Sequence, residues 1–275
     1  MGDVCVNIMG GLGNQLFQIA SAYSYARKNN GNLRIPKIRK DQNGGYRKVY
    51  WNSLLKKVQP YLVENMVIEN IGKEIWREDY PTMYKEISPL TNNKYLSGYF
   101  QTSKYFGDDI IKKEIKELFK PDDCMFDIVR DLYGDILEVK DRIVVLHCRR
   151  TDYLNFPDFH NPLNSEYYKK AINSMLKKVS NPFFLLCGDD NNFWEEIRKD
   201  IPEVYSADYF ILNENDILSF VLLQQFDNFI MSNSTFIWWC VWLSNQKNVI
   251  APDKWFGPSG PKLYRDIYES NWEII

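Results

Sequence analysis

No stretch of the chain is long and apolar enough to cross a bilayer. The longest apolar run, Phe236 to Leu243, falls well short of the roughly 20 residues that a crossing needs. The opening residues lack a basic segment followed by an apolar one and enter a predicted strand almost at once, so no secretory leader is expected. Val6 stands where myristoylation wants Ser or Thr. Paired cysteines are missing as well. Cys5, Cys124, Cys148, Cys187 and Cys240 stand singly, without metal-type spacing, which argues against a disulfide framework and for a reducing, cytoplasmic setting. Positive charge is not in excess: 34 Lys and Arg against 36 Asp and Glu leave a net charge of -2. No global field therefore draws nucleic acid or an anionic membrane. Any anion must be met locally.

What is present is the usage of a globular protein, 45% hydrophobic and 25% charged over 275 residues. That length favours two lobes, with a boundary expected near residue 140: an N-terminal lobe 1–140 and a C-terminal lobe 141–275. Asp3 to Met9 reads as a strand, Gly10 Gly11 Leu12 Gly13 as a tight turn, and Asn14 to Lys28 as a helix with Leu16, Ile19, Ala20, Tyr23 and Ala26 on one face. A strand over 32–35 completes a βαβ opening. Residues 36–100, with Gly44 Gly45 and scattered aromatics, are not assigned beyond a strand end near Ser97. Lys104 to Phe119 and Asp122 to Val139 read as helices. In the second half, strands near 142–147, 182–187, 204, 229–231 and 249–251 alternate with helices 165–179, 192–199, 215–225 and 232–245. This predicts a Rossmann-like lobe with three or four parallel strands.

Ligands of open parallel sheets bind beyond the carboxyl ends of the strands, and four unusual loops fall at such ends. In Gly10 to Gln15, the pattern G-x-G-x-x-G fails because Leu16 stands at the third glycine, which argues against a dinucleotide fold. Gly11 and Gly13 still leave room at a helix entry where backbone N–H groups point, beside the polar Asn14. In His147 to Tyr153, a buried strand delivers Arg149 and Arg150 to opposite sides. One can reach a ligand while the other makes a structural ion pair, with Asp152 as the candidate partner. A guanidinium fork matches phosphate oxygens and would stabilise a departing diphosphate without a metal. His147 by itself reads as a hydrogen-bonded core residue. Asp189 and Asp190, after an apolar strand, could accept from a base or ribose, bind Mg²⁺, or simply start a helix. Ser232, Asn233, Ser234 and Thr235 precede a helix and read as an anion nest, with Phe236 near enough to pack on a base. Asn233 Ser234 Thr235 is also formally a glycosylation sequon. The aromatic run from Phe236 to Trp242 reads mostly as core.

Taken together and in this order, these segments resemble the family 11 glycosyltransferases, the α-1,2-fucosyltransferases. The matching residues are Gly10 to Gln15 with Phe17 and Gln18, Gly98 to Gln101, His147 x Arg149 Arg150 x Asp152 Tyr153, and Ser232 to Phe236 followed by Trp238 and Trp239. The resemblance implies an α/β, GT-B-like fold of two Rossmann-like lobes with parallel sheets facing a central cleft. It implies GDP-β-L-fucose as donor, a galactose-terminated glycan as acceptor, and inverting transfer to the galactose 2-hydroxyl with no obligatory metal. Arg149 would meet the β-phosphate, Asp189 or Asp190 the guanine or ribose, and Ser234, Thr235 and Phe236 the phosphates and base. Asn14 would orient the acceptor hydroxyl, with Asp152 and His147 as candidate bases. Gly188 departs from the Ser that many members carry there. The membrane anchor of animal Golgi members is not expected, so the chain resembles the soluble bacterial or viral type. Transfer with another linkage, transfer to a protein hydroxyl, and a silent nucleotide-sugar or glycan binder are the competing readings. Oligomeric state is not legible.

Overall fold

A computed structural model of the chain describes residues 1–37, 48–64, 74–205 and 207–275. Contacts divide the chain into two compact units, Met1–Pro121 with Leu263–Glu269, and Asp122–Lys262 with Ser270–Ile275. The division falls ahead of residue 140. The helix Asp123–Glu138 packs within the second unit, where Tyr133 donates to Glu214 Oε2 at 3.1 Å and meets the Phe210 ring edge-on.

The first unit runs β1 (Asp3–Val6), α1 (Leu12–Lys28), β2 (Asn32–Pro36), β3 (Leu62–Val63), β4 (Glu74–Arg77), β5 (Lys94–Ser97) and α2 (Asp109–Leu118). Among the described residues, five strands of this unit pair in the order β3-β2-β1-β5-β4, all parallel. α1 is buried along most of its length because it packs on β1, β2, α2 and the 3₁₀ turn Ser103–Phe106. At its far end Arg27 grips Glu114 of α2 with two bonds of 2.7 and 2.8 Å. The single helix expected over 104–119 is two pieces. Gly107, at φ +81, takes a conformation that breaks a helix, and Asp108 restarts it by accepting from the N–H groups of Ile110 and Ile111. Strands β3 and β4 lie in the region the sequence left unassigned; Gly44 and Gly45 lie outside the described residues.

In the second unit come α3 (Asp123–Glu138), β6 (Ile143–Cys148), α4 (Ser165–Met175), β7 (Phe183–Gly188), α5 (Asn191–Asp200), β8 (Tyr209–Ile211), α6 (Asp216–Leu223), β9 (Asn228–Ile230), α7 (Thr235–Leu243), β10 (Asn248–Ala251) and β11 (Glu273–Ile274). Among the described residues, six strands of this unit, rather than three or four, pair as β11-β10-β9-β6-β7-β8, all parallel. Near Val204 the chain forms a helical turn, Pro202–Tyr205, not a strand. Proline's fixed φ suits a first helical position, and the strand comes at Tyr209 instead. All six residues of β6 are buried, as expected for a strand flanked on both sides and covered on both faces. Trp238 and Trp239 of α7 are fully buried, so the aromatic run is core.

This topology matters for function. In the first sheet β2 and β3 lie on one side of β1, and β5 and β4 on the other; in the second, β7 and β8 lie on one side of β6, and β9 to β11 on the other, so a switch point falls between β1 and β5 and another between β6 and β9. Such switch points open crevices at the carboxyl ends of the strands. All four unusual loops flank the two switch points or a neighbouring strand end. Among the described residues, no helix is long and apolar enough to cross a membrane, and none of the five cysteines is in a disulfide.

Candidate functional site

At the second unit's switch point the loops after β6 and β9 are tied together from below and from the side. Two tyrosines of α4's first turn reach under the sheet edge: Tyr168 donates to His147 O at 2.8 Å and Tyr167 to Met231 O at 2.5 Å. The His147 ring is almost wholly buried. Its Nδ1 lies 2.8 Å from Ser232 Oγ, and the ring stacks near Phe236 with centroids 6.0 Å apart. Burial, aided by the charge of Arg149, pushes the imidazole down to about 3, so it is neutral at physiological pH. Tyr153 stacks flat on His160 (4.2 Å) and donates to Asn233 O at 3.1 Å, which fixes the arginine loop to the loop after β9.

The arginines divide their work, but not with the expected partners. Arg150 is the structural one. Its Nε meets Asp190 Oδ2 at 3.2 Å, its Nη1 donates to Leu163 O at 2.7 Å, and its guanidinium lies 3.9 Å over the Phe193 ring. Asp190 also caps α5 by accepting from Phe193 N–H. Asp152 pairs instead with Arg149, Nη2 to Oδ2 at 2.7 Å, and Asp189 meets Arg149 Nη1 at 3.0 Å. Burial alone works against the Arg149 charge, but the carboxylates of Asp189 and Asp152 overcome it and raise its pKa. The side chain retains 37% of its exposure, so a cation is held in place and still reachable. Asp189 further accepts from Arg150 N–H (2.7 Å) and Thr151 Oγ1 (2.8 Å). Both aspartates are thus engaged with the arginine loop. Among the described residues, no three His, Cys, Asp or Glu side chains gather as a metal cluster.

Gly188, which departs from the Ser of many members, is explained by its backbone. It sits at φ +137, and a Cβ there would lie 2.2 Å from Cys148 O, so a side chain would force β6 and β7 apart. The nest is narrower than four residues. Ser232 is buried on His147, the Asn233 amide is buried and donates to the carbonyls of His160, Asn161 and Trp255, and Ser234 accepts from Phe236 N–H as the N-cap of α7. Thr235 and Phe236, both half-buried, are what this end of α7 presents.

At the first unit's switch point, the turn after β1 is Gly10–Gly11 alone, since Gly13 already lies in the first turn of α1. Gly10 sits at φ +72, and a Cβ there would run into the Asn14 side chain; at Gly11 a Cβ would meet nothing within 4 Å. Asn14 Oδ1 accepts from Gln101 Nε2 at 2.9 Å, so the loops after β1 and β5 meet through two amides. Gln18 Oε1 accepts from Met9 N–H, and Gln15 Nε2 donates to Lys48 O.

A family model for glycosyl transferase family 11 matches residues 2–275. The chain belongs to glycosyl transferase family 11. It is 25% identical to an Escherichia coli alpha-1,2-colitosyltransferase over 93% of each chain, and 26% identical to the Escherichia coli O-antigen biosynthesis glycosyltransferase WbnK over 95% of this chain and 98% of that one. Among solved structures, POFUT1 in complex with GDP matches with a TM-score of 0.56 at 10% identity, covering 99% and 98% of the two chains. The α-1,6-fucosyltransferase NodZ soaked with GDP-fucose matches with a TM-score of 0.55 at 15% identity, covering 89% and 93%. These matches carry the fold, that of the GT-B fucosyltransferases.

For this family 11 transferase, the sequence reading brought together Arg149, Asp152, Asp189 and Phe236's neighbourhood in one unit and Gly11, Gly13 and Asn14 in the other. It missed the residues that hold them. Tyr167, Tyr168 and His160 announce nothing by spacing. Glu78, just past β4, is equally silent in sequence; burial pushes its carboxyl up to about 7 against two backbone N–H bonds that favour its charge.

Proposed function

We propose that this transferase moves L-fucose from GDP-β-L-fucose to the 2-hydroxyl of a terminal galactose, with inversion, in the assembly of an O-antigen-type glycan. The observation that carries the reading is Arg149, a guanidinium fixed at the second switch point by two carboxylates, yet reachable, in a chain of net charge -2. The bond from C1 of the sugar to the β-phosphate oxygen breaks as the bond from C1 to the galactose oxygen forms, and GDP departs with the electron pair. Arg149 offsets the charge developing on that diphosphate. Thr235 and the N-terminal amides of α7 receive phosphate oxygens, the Ser234 hydroxyl adds its own proton while its oxygen still caps Phe236 N–H, and Phe236 packs on the base. Asp189 exchanges part of its hold on Arg149 for the ribose or guanine, while Asp190 stays with Arg150. Asn14 orients the acceptor hydroxyl, and Gly11, with open space where a side chain would begin, lets substrate approach α1. His147, neutral and committed to Ser232, acts as a positioning residue rather than as the base. Asp152, more than half exposed, is the base candidate once phosphate displaces it from Arg149.

Support comes from the relatives: one is named for an α-1,2 linkage and the other for O-antigen biosynthesis, and two fold neighbours are solved with GDP or GDP-fucose. The colitosyltransferase relative favours one second reading, in which the donor sugar is colitose, a fucose without its 3-hydroxyl. The test is GDP release from GDP-fucose and from GDP-colitose, with EDTA present, over a panel of β-galactosides, with linkage read by NMR. Galactoside-dependent release from GDP-fucose giving an α-1,2 product supports the first reading. Preference for GDP-colitose selects the second, and binding without acceptor-dependent release points to a silent binder.

A further inference from the structure

Glu78 has no part in the site as described, yet it controls one of its edges. Its backbone N–H donates to Ser97 O at 3.0 Å, which continues the β4–β5 ladder by one residue. From there the carboxylate turns over the segment that follows β5. Oε2 accepts from Tyr99 N–H at 2.7 Å, and Phe100 N–H lies 3.0 Å from each oxygen. Gly98 is what admits the carboxylate, since a Cβ there would lie 2.5 Å from Glu78 Cβ and 2.6 Å from Oε2. Phe100 is held at φ +54, a left-handed conformation that a bulky residue adopts only when its surroundings hold it there. Two features do so. One is the set of N–H bonds that the Glu78 carboxyl accepts from Tyr99 and Phe100; the other is the buried Phe100 ring, stacked near Trp76 (5.9 Å) and edge-on to Tyr105 (5.3 Å). Thr102 N–H then closes on Phe100 O at 2.7 Å. The turn has a direction: Gln101 is anchored by its N–H on Pro81 O at 2.6 Å, and its side chain is delivered to Asn14.

We infer that Glu78 is a positioning residue of the transfer reaction, shaping the Gly98–Gln101 turn so that Gln101 holds the Asn14 amide in the orientation the acceptor hydroxyl needs. The inference rests on the proposed role of Asn14. The turn presents two successive N–H groups, and the Glu78 carboxyl reaches both, Oε2 accepting from each and Oε1 also from Phe100.

The experiment is steady-state kinetics with donor and acceptor varied separately, on the wild type, Glu78→Ala, Glu78→Gln, Asn14→Ala and the double variant Glu78→Ala/Asn14→Ala. It is read beside the Asn14 side-chain amide signals in an NMR spectrum of Glu78→Ala. Glu78→Ala is expected to lower kcat about tenfold, the scale of a small misplacement at a reacting group, while GDP affinity stays within about twofold. Glu78→Gln keeps one acceptor oxygen and recovers part of the loss, which covers the case in which Glu78→Ala folds poorly. In the Asn14→Ala background, removing Glu78 costs little more, because residues acting through one contact do not add. The Asn14 amide signals shift. Multiplying losses in the double variant, or unshifted amide signals, overturn the inference. A defective Asn14→Ala beside a fully active Glu78→Ala overturns it alone. A fully active Asn14→Ala overturns the acceptor reading first and this inference with it.

Discussion

Both sheets are wholly parallel and carry a switch point beside their first strand, and the chemistry at those two points differs. Between β1 and β5 the meeting side chains are amides, Asn14 and Gln101, with Gln15 and Gln18 buried just behind. Between β6 and β9 they are charged: Arg149 lies between Asp152 and Asp189, with Arg150 locked to Asp190 behind it. A parallel sheet with a switch point supplies a crevice and nothing more. The side chains at its rim decide what enters. Neutral amides suit a hydroxyl, which must be oriented without being charged, whereas a fixed guanidinium suits a diphosphate that gains charge as it leaves.

The largest break in this contrast is Arg149→Ala, expected to cost 10² to 10³ in kcat, roughly 3–4 kcal/mol of barrier, with the melting temperature little changed. Asn14→Ala follows, expected to lower acceptor turnover roughly 10- to 100-fold while GDP affinity is kept; steady-state kinetics separates the two. Arg150→Ala sharpens the division of labour between the adjacent arginines. It removes the bonds to Asp190 and Leu163 O and the stack on Phe193, so the loss is expected chiefly in stability, roughly 1–3 kcal/mol by urea unfolding. The smallest effect at working pH belongs to His147. Burial depresses its folded pKa to about 3 from the ordinary 6.5 of a histidine, so the unfolded chain takes up a proton that the native state refuses. That contribution is complete above pH 6.5 and is lost as pH falls towards 3. His147→Asn should flatten the fall in melting temperature over that window.

How much of this was legible in the sequence depended on whether the signal was local. The βαβ opening and the alternation after residue 142 follow from periodicity, because an apolar strand buried on both faces reads the same wherever it lies. β3 and β11 are two-residue strands with no pattern to read. The helix 104–119 was merged because Gly107 breaks it by φ, which composition only hints at. At the site, the sequence reading of one reachable arginine and one in a structural ion pair matches the contacts, but Asp152 pairs with Arg149 and not with the structural Arg150. Asp152 is near in sequence and Asp190 near in space, and only the β6–β7 pairing brings Asp190 to Arg150. Within the Ser232–Thr235 segment, the contacts of Ser232 with His147 and of Asn233 with three carbonyls were not legible, because those partners lie far away in the chain.

The central claim is that the anion belongs to the second unit's switch point and the neutral hydroxyl to the first. Calorimetric titration of GDP, in EDTA, into the wild type, Arg149→Ala and Asn14→Ala tests it most directly. The account predicts GDP affinity at least about tenfold weaker in Arg149→Ala, the scale of a lost hydrogen bond to a charged group, and unchanged in Asn14→Ala. Undiminished affinity without Arg149, or affinity lost with Asn14, would contradict it.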